Sequence, residues 1–430
     1  MEPKTVNKDK KLNSRNGFIG VLPEKWQVNP LDQVAEVKQG VSKGRNFKEK
    51  KILEVPYLRV ANVLDGEFNL NEIKTIEVLE SEFALYNLKT NDILITEGGD
   101  PDKLGRGSIW KDQIQGVVYQ NHLFRIRCIG KSLSAEFLAQ YIQGRAAKNY
   151  FLSCAKQTTG IASINLSQIR TTPIPVPPLP EQNKIAAVLS AWDEAIQTAR
   201  QLLEARQLRK SALMQQLLTG ETRLPGFIEA WQDVKLNQVF RRLMRRNDQG
   251  NTNVLTISAK YGLISQTEYF NKVVASEEVR NYYLLNRGEF AYNKSSSAGY
   301  DFGAIKRLDL YERGILSPLY ICLEITEGDS DFYTHFFEAG QLNHGIYKIA
   351  QEGARNHGLL NISVIDFFQI TFKTPSLSEQ RAIATVLNAA DEEIRLSTAE
   401  IEVLKEQKSG LMQQLLTGKM RVRIEEKETA

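Results

Sequence analysis

The sequence predicts an α+β protein made twice over: a mixed α/β globule and a long helix, then a second globule and a second helix, as a pseudo-two-fold repeat. Three observations predict it. Residues 179–220 and 377–418 match at a constant offset of 198, with 22 of 42 paired positions identical and a shared closing LMQQLLTG. Similarity at a fixed offset is the mark of a repeated architecture. The apolar residues of both copies recur in steps of three and four, the period of a helix that packs along a partner helix. Finally, the stretches before the two copies carry the same landmarks in the same order.

Residues 1–20 are polar and lysine-rich and read as a flexible basic tail. The first globule spans 21–178. Its segments 57–60, 92–96 and 118–127 alternate as strands do. Turn-rich loops fill 38–45 and 97–107, and 135–151 has a helical pattern. Five prolines from Pro173 to Pro180 predict an extended, semi-rigid strut into the first long helix. That helix occupies 179–221, with Pro180 in its first turn and a seam of Leu189, Trp192, Ile196, Ala199, Leu203, Leu213 and Leu217. The second globule spans 222–375. Its Trp231, Leu236, Gln238 and Val239 match Trp26, Leu31, Gln33 and Val34. Residues 285–291 match 88–94, 330–332 match 135–137, and 360–362 match 164–166. The second helix occupies 376–420, with Ser376 and Glu379 at capping-box spacing. Its seam is Leu387, Ala390, Ile394, Ile401, Leu404, Leu411 and Leu415, with Ser397 and Lys408 as polar members. Gly220 and Gly418 stand where a left-handed residue ends a helix. Residues 421–430 form a C-terminal tail. A helix of ~40 residues spans roughly 60 Å, and its stripe serves packing rather than chemistry.

At 430 residues, with 42% hydrophobic and 25% charged, the chain can bury full cores. A net charge of +4 is weak evidence for a nucleic-acid partner; clustering matters more. Cys128, Cys154 and Cys322 are scattered without a CxxC pair, which argues for a reducing compartment and against a zinc site. No apolar run reaches the ~20 residues of a membrane span, and the polar N-terminus has no secretory pattern. The expectation is a cytoplasmic protein with no membrane partner.

No catalytic constellation emerges. Gly130-Lys131-Ser132 lacks the upstream glycine of a phosphate loop. Asp301-Phe302-Gly303 stands without the other kinase motifs. Neither NPPY nor DPPY occurs. Pro101-Asp102 is followed by no placed E-x-K, and Glu406-x-Lys408 on the second helix reads as a solvated pair. His122, His335, His344 and His357 have no ligand spacing. No metal site and no catalytic residue is expected.

Basic loop clusters are the better lead. Lys43 and Arg45 share one glycine-punctuated loop, Lys103 and Arg106 another. Arg241, Arg242, Arg245 and Arg246 open the second globule densely. Lys156 with Thr158, Lys294 with Ser296, and Arg355 have the same vocabulary of cation beside hydroxyl or amide, suited to phosphate positioning and base-edge contact.

The PPLPEQ opening at 177–182, the WDE at 192–194 and the two LMQQLLTG closes resemble the specificity subunit of a type I restriction–modification system. The resemblance covers nearly the whole chain. It implies that each globule is a target recognition domain for one half of a bipartite site on double-stranded DNA. It also implies that the helices form an antiparallel coiled-coil pair that sets the spacer. They would dock two modification (methyltransferase) subunits, joined by restriction subunits. No cofactor would be bound by this chain; S-adenosylmethionine, ATP and Mg would belong to the partner subunits. Leu189, Trp192, Ile196, Leu203, Leu213 and Leu217 would then face Leu387, Ile394, Ile401, Leu404, Leu411 and Leu415. An antiparallel pair centred near Ala199 places Trp192 across from Leu404 and Ala390 across from Arg206. Three other readings stay open: a specificity subunit of a fused-enzyme system, a coiled-coil adaptor for proteins, and a methyltransferase or nuclease with its own site.

Overall fold

The computed structural model describes residues 18–44, 51–158, 160–258, 261–270, 279–297, 299–355 and 359–424. It divides into two compact units, 1–200 with 399–430 and 201–398, so each unit contains parts of both long helices.

In the first unit the order is β1 (Gln27–Pro30), α1 (Leu31–Val34), β2 (Ala35–Gln39), β3 (Ile52–Leu58), β4 (Lys74–Leu79), α2 (Glu80–Tyr86), β5 (Ile93–Thr96), β6 (Gly98–Gly99), β7 (Gly107–Ile109), β8 (Val118–Tyr119), β9 (Leu123–Cys128), α3 (Ala135–Gln143), α4 (Arg145–Cys154), β10 (Lys156–Thr158), β11 (Ile161–Ser163), α5 (Leu166–Arg170) and β12 (Pro173–Val176). The long helix α6 (Leu179–Leu217) follows. The central sheet is antiparallel in the order β2-β9-β5-β7. Smaller sheets run β4-β3-β8 and β10-β11-β6, and β1 pairs with β12. Leu31, Val34, Phe124, Ile126, Phe137, Leu138 and Tyr141 close the core from sheet and helix sides.

The second unit repeats this frame. Its elements are β13 (Gln232–Lys235), α7 (Leu236–Val239), β14 (Phe240–Leu243), β15 (Leu255–Ser258), β16 (Gly262–Ser265), α8 (Gln266–Phe270), β17 (Tyr283–Asn286), β18 (Phe290–Asn293), β19 (Ala304–Arg307), β20 (Arg313–Leu316), β21 (Ile321–Ile325), α9 (Ser330–Glu338), α10 (Asn343–Ile349), β22 (Gln351–Arg355), β23 (Leu359–Asn361), α11 (Val364–Phe368), β24 (Thr371–Thr374) and α12 (Leu377–Leu415). Its central sheet, β14-β21-β18-β19, has the same order and sense as β2-β9-β5-β7, and β13 pairs with β24 as β1 does with β12.

Several expectations need correction. The proline run is no free strut: β12 is fully buried and paired to β1, Pro30 opposite Pro173. A two-stranded ladder leaves one side of each strand without a partner, which proline's missing N–H tolerates. Segment 118–127 is two strands, because the chain turns at Gln120, whose carbonyl accepts from Leu123 N at 2.8 Å. Segment 135–151 is two helices broken at Gly144, where an added Cβ would lie 3.2 Å from Leu416 Cδ1. Residues expected in both tails pack on the first unit instead. Phe18 packs edge-on to Tyr150 with ring centroids 5.8 Å apart, and Ile19 is buried. Arg421 reaches buried Glu181, and Val422 touches the core.

The seam residues named above are all buried or half-buried. In the first unit Ile185, Ala186 and Leu189 of α6 share a core with Leu415, the last residue of α12, and Leu416 just after it. In the second, Met214, Leu217 and Leu218 share one with Ile383, Ala384 and Leu387. Partners on α12 descend as α6 ascends, so the helices are antiparallel in each unit. The expected register is displaced by more than one turn. Asp193, beside Trp192, accepts from Lys408 at 2.6 Å. Arg206 reaches Ser397 rather than Ala390, and Lys210 donates to Asp391 at 2.5 Å. The reason is the polar seam: Asp193–Lys408 and Lys210–Asp391 are the same pair in the two copies, and one register satisfies both. Lys408 is therefore buried and paired to half-exposed Asp193, not solvated beside Glu406.

The Glu-Gln dipeptide opening each long helix is buried in both copies. Gln182 Oε1 accepts from Ser134 N at 2.8 Å, and its amide donates to Ser132 O and Pro177 O. Gln380 Oε1 accepts from Asp329 N at 2.8 Å, and its amide donates to Pro375 O and Thr374. Ser134 and Asp329 are the N-caps of α3 and α9, so one glutamine in each unit fastens the long helix to its globule.

Candidate nucleic-acid interface

In the first unit the interface is built around the end of β5. Glu97 follows it; its N–H donates to His122 O (3.0 Å), and its carbonyl accepts from Ile164 N (2.9 Å). The next two residues form β6, which pairs with β11, Gly98 opposite Ser163. A Cβ on Gly98 would stand 3.0 Å from Ala162 O, so glycine permits that approach. Glu97 thus sits where the central sheet meets the β10-β11-β6 sheet. Its Oε2 lies 2.7 Å from His122 Nδ1.

The expected cations border this point. Asn121 N donates to Val41 O (2.9 Å), which brings the loop carrying exposed Lys43 alongside. Lys43 Nζ lies 5.6 Å from the Tyr57 ring centroid. Arg106 is half-buried, its carbonyl accepting from Thr96 N. Lys156 is exposed on β10 opposite Ser163, and Thr158 ends the same strand. Lys103 forms an ion pair with Asp100 in the turn after β6, and its ammonium holds the Asp100 carboxyl below the usual carboxylate range. Arg45 lies outside the described residues.

The second unit divides the expected residues between two places. Lys294 follows β18 as Glu97 follows β5, and its carbonyl accepts from Leu360 N at 2.9 Å. Exposed Ser296 lies in the next loop, and Arg355 ends β22 opposite Leu359. These three gather at the corner equivalent to that of the first unit. The arginine patch lies at the other end of β18, around Glu289. Arg241 donates to Glu324 at 2.7 Å across the β14–β21 pair, where opposite charges stabilise a sheet. The hydrogen bond from Arg241 lowers the Glu324 pKa. Arg245 grips Glu289 with bonds of 2.9 and 3.1 Å, and Arg246 lies over Tyr283. Of Arg241, Arg242 and Arg245, Arg242 alone makes no ion pair among the described residues. Two of the four arginines of the dense patch are thus held in internal ion pairs.

Sequence reasoning passed over the contact between Glu97 and His122. The match of 88–94 with 285–291 stops three residues short of pairing Glu97 with Lys294; carrying it on would have exposed the opposite charges. Among the described residues no group of three or more His, Cys, Asp or Glu is placed to hold a metal ion.

Comparison with known proteins adds the following. Residues 23–205 match the family described as type I restriction modification DNA specificity domain. A putative type I restriction enzyme MjaX specificity subunit of Methanocaldococcus jannaschii is 25% identical over 96% of this chain and 98% of its own length. A solved chain from work on complex assembly and conformational transition of the type I R-M system aligns over 93% of this chain and all of its own, at 16% identity and a TM-score of 0.56. The S subunit of the type I system from M. genitalium aligns over 92% of this chain and 98% of its own, at 15% identity and a TM-score of 0.51. Those two structural likenesses concern the fold.

Proposed function

We propose that the chain is a type I restriction–modification DNA specificity subunit, each unit of which reads one half of a bipartite site on duplex DNA; the family match of its first half and its likeness to a specificity subunit along nearly its whole length support this. One observation carries the reading: the two units repeat one strand order, yet the side chains at the equivalent corner differ, Glu97 with Lys43, Arg106 and Lys156 against Lys294 with Ser296. A shared frame with divergent rims suits two readers of different sequences. Lys43, Arg106 and Lys156 would neutralise phosphates, and polar side chains between them would meet base edges.

The long helices set the spacer and dock the modification subunits, two of them on the symmetry of the repeat. In support, Leu202, Leu208, Leu396 and Val403 are exposed on α6 and α12 outside the seam. Restriction subunits join that assembly. The chain itself performs no chemistry in this reading; S-adenosylmethionine, ATP and Mg are held by the partners, and the complex works in the cytoplasm. No described helix is long and apolar enough to cross a membrane.

The test is to express the chain with its modification subunits in a host free of other DNA methylation and map the modified bases. A bipartite motif with an unspecified spacer is expected, and exchange of residues 21–178 should change one half only. Methylation without sequence preference, or changes in both halves, would refute the proposal.

A further inference from the structure

We infer that Glu97 with His122, and Lys294 with Leu319, are the base-reading pairs that give the two units different specificities. The inference rests on the DNA-recognition reading and deepens it. The four positions are equivalent by register. Ile95 opposes Phe124 in the first sheet as Tyr292 opposes Ile321 in the second. Glu97 and Lys294 each stand two residues beyond the first member of those pairs. His122 and Leu319 each stand two residues before the second. Both main-chain carbonyls, of Glu97 and of Lys294, take the same 2.9 Å bond from the neighbouring hairpin strand or the residue just after it. The main chain at Glu97 and at Lys294 is thus held by the same bond, while the side chains at the four positions differ.

Their chemistry differs in kind. Glu97 lies amid Lys43, Arg106 and Lys156 yet forms an ion pair with none of them; its partner is His122. A carboxylate in that place opposes phosphate binding, so a phosphate-positioning surface does not account for it. It suits a donor on a base edge: the exocyclic amino group of cytosine or adenine in the major groove. With Oε2 engaged by His122 Nδ1, Oε1 remains to accept that bond. The His122 side chain is 57% exposed, and its Nε2 has no partner among the described residues. Lys294 offers the reverse, a donor for guanine O6 or N7. Leu319 is 64% exposed, an apolar side chain of the kind that meets a thymine methyl. The first unit therefore selects cytosine or adenine at this point of its half-site, and the second selects guanine, next to thymine.

The experiment uses the chain assembled with its modification subunits and maps methylated motifs for the unaltered chain and for Glu97→Gln, Lys294→Met and Leu319→Ser. Glu97→Gln is expected to relax one position of one half-site by about tenfold or more, leaving the other half-site intact. Lys294→Met is expected to do so in the other half, and Leu319→Ser at the neighbouring position. An unchanged motif, or a uniform loss of methylation with a shallower salt dependence, would overturn the inference, since the residues would then be spectators or phosphate contacts. Absence of a bipartite motif from the unaltered complex is a separate result that overturns the recognition reading itself. Because these side chains are partly or largely exposed, unchanged melting temperatures should accompany each variant.

Discussion

Removing Arg421 should harm the first unit more than neutralising the carboxylate it holds. Glu181 is fully buried; it accepts from Arg421 Nε and Nη2 at 2.5 and 2.8 Å and from Trp26 Nε1 at 3.1 Å. Arg421→Met leaves a buried carboxylate with the indole as its remaining partner, a loss worth ~3–5 kcal/mol for a fully buried pair. The Arg421 side chain is 46% exposed, so solvent screening brings the figure to about 2–3 kcal/mol. Glu181→Gln leaves no buried charge, can still accept from Trp26, and lets the guanidinium return to water, for about 1–2 kcal/mol. At ~2–4 °C per kcal/mol for a unit of this size, Arg421→Met should lower its melting temperature by about 4–12 °C. The double variant should melt above Arg421→Met alone, because the amide removes the stranded charge. Melting of the full chain followed by circular dichroism reads all three. If the two single losses simply add in the double variant, the carboxylate is not stranded and the argument fails.

Three further outcomes follow from the same coordinates. Burial holds the His335 pKa below its usual value, with Lys210 adding to the effect and Asn388, Asp391 and Asp331 opposing it. The unfolded chain therefore takes up a proton below ~6.5 before the folded one does. Stability of the second unit should fall as pH drops from about 6.5 toward the lowered value, and His335→Gln should flatten that part of the melting profile. Burial pushes the Cys128 and Cys322 thiols up to about 12, so iodoacetamide at neutral pH should leave both unmodified until the chain unfolds, as mass spectrometry would record. Replacing Lys43, Arg106 and Lys156 together by Gln should reduce the salt slope of DNA binding by about three, whereas Arg241→Gln, whose charge is spent on Glu324, should leave it nearly unchanged.

The long helices were legible because their signal is periodic and duplicated: Leu189, Ile196, Leu387 and Ile401 announce a seam whatever the partner. The order of the globules was legible from Trp26 and Trp231 with the residues after them. The register was not, because a 3–4 stripe fits a partner at many offsets and the choice falls to Asp193, Lys210, Asp391 and Lys408, whose pairing needs both copies at once. Burial of Glu181 and Gln182 was equally hidden, since polar residues in a first helical turn usually face water. At the recognition corner the sequence marks cations but not their partners. Lys156 and Arg241 look alike in a string of letters, and only the strand opposite Arg241, with Glu324 in place, separates an available charge from an engaged one.

The glutamine clasp has a consequence for how such a chain can change. Gln182 and Gln380 hold mostly main-chain atoms: Ser134 N, Ser132 O and Pro177 O in one unit, Asp329 N and Pro375 O in the other. A fastening to the main chain is indifferent to which side chains the globule displays. A foreign globule spliced in just upstream of the Glu-Gln dipeptide would therefore meet the same anchor. Gene crossovers at that boundary could exchange one reader for another without redesigning the junction.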